Sequence, residues 1–82
     1  MRILLNSETY YEEKAVLTFY VQGRPRLFLA RYVREQFGAR VVGFRKIGDW
    51  HLIDIEYSPA VAELVVTEVR GLSRGGSRPI WG

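Results

Sequence analysis

The sequence predicts an α+β fold, an antiparallel sheet of four to five strands with two helices on one face. Three observations lead there. A strand-like run, AVLTFYV at 15–21, stops at Gly23, Arg24 and Pro25 and gives way to apolar residues at helical spacing. Two further strand-like runs, ARVVGFRKI and WHLIDIEY, flank Gly48 and Asp49, a connection short enough to close a hairpin. Ser58 and Pro59 then read as the start of a second helix, with serine as N-cap and proline at the first position.

Taken in order, RILL at 2–5 is a short apolar run, and NSETYYEEK after it reads as a turn and a polar connection. In 15–21 the β-branched and aromatic residues favour a strand. Leu17, Phe19 and Val21 fall on one face, and Val16, Thr18 and Tyr20 on the other. Pro25 suits the first position of a helix. Within that helix Leu29, Ala30, Val33 and Phe37 form the expected buried stripe, and Gly38 is the expected C-cap. At about 100° per residue, Arg24, Phe28, Arg31 and Glu35 lie opposite, with Arg34 beside them.

For the hairpin, pairing Ile47 with Trp50 puts Val42, Phe44, Ile53 and Ile55 on the core face and Arg45, Leu52, Asp54 and Glu56 on the other. AVAELVVTEVR at 60–70 continues the second helix to Gly71, although its valines and threonine keep a strand open as the alternative. A single domain is expected over 1–72. Residues 73–82 are expected to be a flexible tail, or to add RPIW at 78–81 as a short edge strand where proline is tolerated.

The chain of 82 residues, 48% of them aliphatic or aromatic, is enough for one small core. It has no cysteine, which excludes a disulfide scaffold, a thiolate metal site and a cysteine nucleophile, and suits a cytoplasmic protein. The N-terminal residues have only a short apolar run, so neither a signal peptide nor a membrane span is expected. The net charge of +3 is mild, but ten of the twelve basic residues are arginine, which binds phosphate bidentately and stacks on bases. A GC-rich genome or a hot habitat enriches arginine as well.

The stretch GRPRLFLARYVREQFGARVVGF, a strand end, a loop with Gly23 and Pro25, a helix and a second strand after Gly38, resembles the ferredoxin-like arrangement. More narrowly it is similar to the small ACT regulatory domain, over roughly residues 15–81, which leaves the first strand as an extra. The resemblance implies an amino-acid site in the loop before the first helix, at a dimer interface. Arg26 stands after Pro25 where that family commonly has glycine.

Few residues suggest chemistry. His51 is the only histidine, and its register points it to the helix-covered face as a satisfied, partly buried side chain with no partner for general-base work. Asp54 and Glu56 emerge on one face and can in principle hold a divalent ion with Glu12 or Glu13, but a cross-strand ion pair with Arg45 is the simpler fate. GRPR at 23–26 can present N–H groups and guanidiniums to an anion or be a plain turn, and no phosphate-loop pattern is present. No catalytic residue, metal or cofactor is expected.

The open sheet face is more telling. Tyr20, Trp50, Ile47 and Leu52 are predicted to point away from the helices with Thr18 and Arg45, a surface suited to stacking unpaired bases or to packing on a second copy. On the helix, Arg24, Phe28, Arg31 and Arg34 form a basic ridge, which Arg26, Arg74 and Arg78 would extend into a phosphate-binding patch. Arg31 and Glu35, four apart, can equally pair on a solvated helix. The expectation is a non-enzymatic, dimeric module that binds DNA or RNA through these residues and Tyr20, Trp50 and Arg45. The alternative is an ACT-like ligand-sensing or oligomerisation module.

Overall fold

The computed structural model describes the backbone of residues 2–76 and the side chains through residue 72. Four strands, β1 (Arg2–Tyr10), β2 (Ala15–Gln22), β3 (Arg40–Ile47) and β4 (Trp50–Tyr57), form one antiparallel sheet in the order β1-β2-β4-β3. Helices α1 (Pro25–Leu29) and α2 (Pro59–Gly76) complete the α+β fold, and α1 runs straight into a π-helical turn, Ala30–Arg34. The elements follow the expected order of strand, strand, helix, hairpin and helix, with the first strand longer than RILL. The expected strand at 78–81 lies outside the described residues.

Alternation along β2 is the spine of the fold. Ala15, Leu17, Phe19 and Val21 are fully buried, and they meet Ile53, Ile55 and Tyr57 of β4 on one side of the sheet. Both helices cover that side. Phe28 packs edge-on against Phe19 at 5.0 Å and lies 5.0 Å from Tyr32, while α2 contributes Ala62, Val65, Val66 and Val69. The Tyr57 hydroxyl donates to the carbonyl oxygen of Tyr32, tying the end of β4 to the helical layer. Burial pushes the Tyr57 hydroxyl well above the ordinary phenol range, with Tyr32 and Glu68 adding to it, and burial raises Tyr32 likewise.

Several expectations need correction. The residues NSETY belong to β1, which continues past a bulge between Leu5 and Ser7 and pairs Glu8 with Leu17. Polar residues sit well there because β1 is an edge strand, and Glu8 takes an ion pair from Arg70 of α2. The buried stripe of the first helix is Phe28 and Tyr32, with Leu29 and Val33 only partly covered, whereas Phe37 is 92% exposed. The helical segment ends at Arg34 with Glu35 as its cap, so Phe37 falls in the following turn, where Gly38 takes a φ of 75°.

α2 does not stop at Gly71 but runs on through Gly76, so residues 73–76 are helical. Glycine costs a helix only about 1 kcal/mol, too little to end one whose apolar face is packed. In the hairpin, Ile47 faces Trp50 as expected, and Gly48, with φ 59°, takes the first central position, where a type II′ turn calls for glycine. A second bulge, between Val41 and Gly43, shifts the register so that Val41 rather than Val42 opposes Ile55. The helices pack over β1, β2 and β4, which leaves Val42 and Phe44 of β3, expected in the core, about half exposed, as is Val41. No helix among the described residues is long and apolar enough to cross a membrane.

Candidate nucleic-acid interface

The open face is assembled by register, because residues paired across strands share a side of the sheet. Reading from β1 to β3, the first row is Arg2, Gln22, Trp50 and Ile47, and the second is Leu4, Tyr20, Leu52 and Arg45. The third is Ser7, Thr18, Asp54 and Gly43, and the fourth is Thr9, Val16, Glu56 and Arg40. The first two rows are mostly aromatic and aliphatic, with Gln22 in the first and a cation at one corner of each. The last two are mostly polar, with Gly43 in the third and Val16 in the fourth.

Within the upper rows Tyr20 and Trp50 meet edge to face, ring centroids 6.3 Å apart, and the Arg2 guanidinium lies 5.6 Å above the Trp50 ring. Both aromatics are partly exposed. Arg45, opposite Leu52, is exposed and has no ion pair among the described residues. In the lower rows the carboxylates are engaged. Asp54 accepts a hydrogen bond from the Thr18 hydroxyl at 2.6 Å, and a side chain at Gly43 would run into the same carboxylate. Glu56 accepts from Arg40 at 3.2 Å and lies 3.8 Å from Lys14.

The residues singled out in the sequence therefore divide. Tyr20, Trp50 and Arg45 are brought together on the open face. Arg24 and Arg26 are exposed where the chain leaves β2 just after Gln22, the residue opposite Trp50, and so lie at the Trp50 end. Arg31 and Arg34 belong to the helical layer on the other side of the sheet. Phe28 leaves the set altogether: it is fully buried beneath α1 and has no surface for a base. Arg74 stands in α2 without a described side chain, and Arg78 lies outside the described residues.

Two expected pairings are replaced. Arg31 binds Glu68 of α2 at 2.7 Å rather than Glu35, and that hydrogen bond raises its already high pKa. Arg45 gives up Glu56 to Arg40, because the bulge at Val42 brings Arg40 opposite Glu56. Arg2, Leu4 and Arg40 were not among the predicted site residues: RILL carries no polar–apolar alternation to assign its faces, and Arg40 reaches Glu56 only through the bulged register.

The remaining motifs are quieter. In GRPR the N–H of Leu27 donates to the Arg24 carbonyl oxygen at 3.1 Å, which closes a plain turn. Beside it an open depression of about 420 Å³ is lined by Gln22, Gly23, Lys46, Asp49 and His51. His51 packs on Phe44 at 5.6 Å on the helix-side face, as its register predicts, but its Nδ1 is buried with no hydrogen-bond partner among the described residues, where a satisfied histidine was expected. Among the described residues no three His, Cys, Asp or Glu side chains gather as a metal site requires. Comparison with family models, with curated proteins and with solved structures returned no match.

Proposed function

We propose that this protein is a non-enzymatic module that binds single-stranded DNA or RNA on the open face of its sheet. Support comes from two partly exposed aromatic rings, Tyr20 and Trp50, on a largely apolar platform with Arg2 and Arg45 at its corners, Arg2 lying over the Trp50 ring. Aromatic side chains stack on any base, and guanidiniums bind phosphate. The acidic residues of the same face oppose this less than their number suggests, since Glu56 is matched by Arg40 and Lys14. The absence of cysteine suits work in the cytoplasm.

The test is a fluorescence titration in a Trp81→Phe background, so that Trp50 alone reports, using single-stranded oligonucleotides at low and moderate salt. Saturable quenching that weakens with salt is expected. Trp50→Leu, followed by anisotropy of a labelled oligonucleotide, should weaken binding about 5- to 150-fold, the equivalent of about 1–3 kcal/mol for one stacked base. No binding at low salt overturns the proposal.

A second reading, self-association through the sheet, draws on the half-exposed Val41, Phe44 and Ile47 of β3, an edge that neither helix shields. It includes the ACT-like alternative, in which a dimer frames a small ligand near the Gly23 turn. A light-scattering mass of one chain, unchanged on raising concentration, removes this reading and leaves the first untouched.

A further inference from the structure

The register also limits how much nucleic acid the face can take. Tyr20 and Trp50 stand on neighbouring strands one row apart, so a line joining them crosses β2 and β4 obliquely, with Cα atoms about 8 Å apart from strand and residue spacings. Arg2 lies two strands beyond Trp50 and Arg45 two strands beyond Tyr20, at opposite corners of the aromatic pair. Below that pair the next row is occupied by Asp54, whose carboxylate is held between the Thr18 hydroxyl and Gly43. A carboxylate repels a phosphate and offers a base no flat surface. Above the pair the sheet ends at the Gly48 turn and the exit to Pro25.

Resting on the nucleic-acid reading above, we infer that the face binds a run of two unpaired nucleotides, laid obliquely over Trp50 and Tyr20. Arg2 and Arg45 hold the flanking phosphates, and Asp54 closes the track. One base on each partly exposed ring accounts for the aromatic pair, with the Arg2 guanidinium moving from the Trp50 ring to a phosphate. Two contacted phosphates correspond to a salt slope of about −1.4 for a single strand, shallow for a nucleic-acid binder. A duplex keeps its base faces inside the stack and cannot use the aromatic pair, so it binds more weakly.

The experiment is a length series in the Trp81→Phe background, with oligothymidylates of about two, four and eight residues and a duplex of about eight pairs. Affinity per strand should level off near four residues, with more than one chain bound per eight-residue strand and the duplex at least about tenfold weaker. Asp54→Asn should tighten the longest strand by about twofold or more and leave the shortest unchanged. A continued rise of about tenfold from four to eight residues, with one chain per strand, overturns the two-nucleotide track while the nucleic-acid reading survives. Equal or tighter duplex binding overturns the stacked geometry. Failure of every oligonucleotide to bind at low salt removes the nucleic-acid reading, and this inference with it.

Discussion

Alternate residues of β2 face two different surroundings. Leu17, Phe19 and Val21 are sealed under the helices, while Thr18, Tyr20 and Gln22, one residue away from each, stay partly open on the other side of the sheet. On the covered side, aromatic rings lie face or edge against one another with no solvent between them, as Phe19, Phe28 and Tyr32 do. On the open side, Tyr20 and Trp50 meet in a similar edge-to-face contact, yet a guanidinium rather than an apolar layer sits above. Aromatic residues therefore do two jobs in this small protein. Which job a given ring does depends on the layer it enters, and Phe28 and Tyr20 illustrate the split.

The sharpest way to break this comparison is to truncate one ring from each side. Phe28→Ala should cost about 3–5 kcal/mol by leaving a cavity under α1, visible as a large loss of denaturant midpoint. A loss below about 1 kcal/mol would mean that Phe28 is not core.

Tyr57→Phe probes the polar tie inside the covered side. Without the hydroxyl the Tyr32 carbonyl loses its donor, and stability at neutral pH should fall by about 1–3 kcal/mol in chemical denaturation. The pH dependence has a definite sign. The folded protein holds the Tyr57 proton above the ordinary value of about 10, and an unfolded chain releases it there, so this stabilisation is complete below about pH 10 and declines as pH rises through that value toward the folded pKa. Wild-type stability should drop above pH 10 more steeply than that of Tyr57→Phe. Parallel curves would remove Tyr57 as the source.

The smallest effect is expected at Phe37. With 92% of its surface exposed, Phe37→Ser should shift stability by no more than about 0.5 kcal/mol, although its spacing alone made it a core residue. A larger loss would place it in an interface between copies.

How far the site could be read in advance follows from these residues. Tyr20, Trp50, Leu52 and Arg45 were legible because a strand alternates strictly and the Gly48–Asp49 turn sets the pairing of Ile47 with Trp50. Phe28 was not, because the stripe through Leu29 and Val33 and the one through Phe28 and Tyr32 are neighbours on a helix, and only the position of the sheet beneath selects between them. Arg2 and Leu4 were hidden because RILL is one apolar run after its arginine, so only the pairing of β1 with β2 assigns Ile3 and Leu5 to the core side and Arg2 and Leu4 to the open side.

The sequence by itself determined the α+β class, the strand faces of β2 and β4 and the hairpin between β3 and β4, since these depend on two-residue alternation and local turn chemistry. Tertiary structure alone decided three things. It set which side of the first helix is buried and how far α2 runs past Gly71, and it brought Arg2 to Trp50 across two strands. Each depends on long-range packing or on a bulge, and neither leaves a periodic mark on the chain.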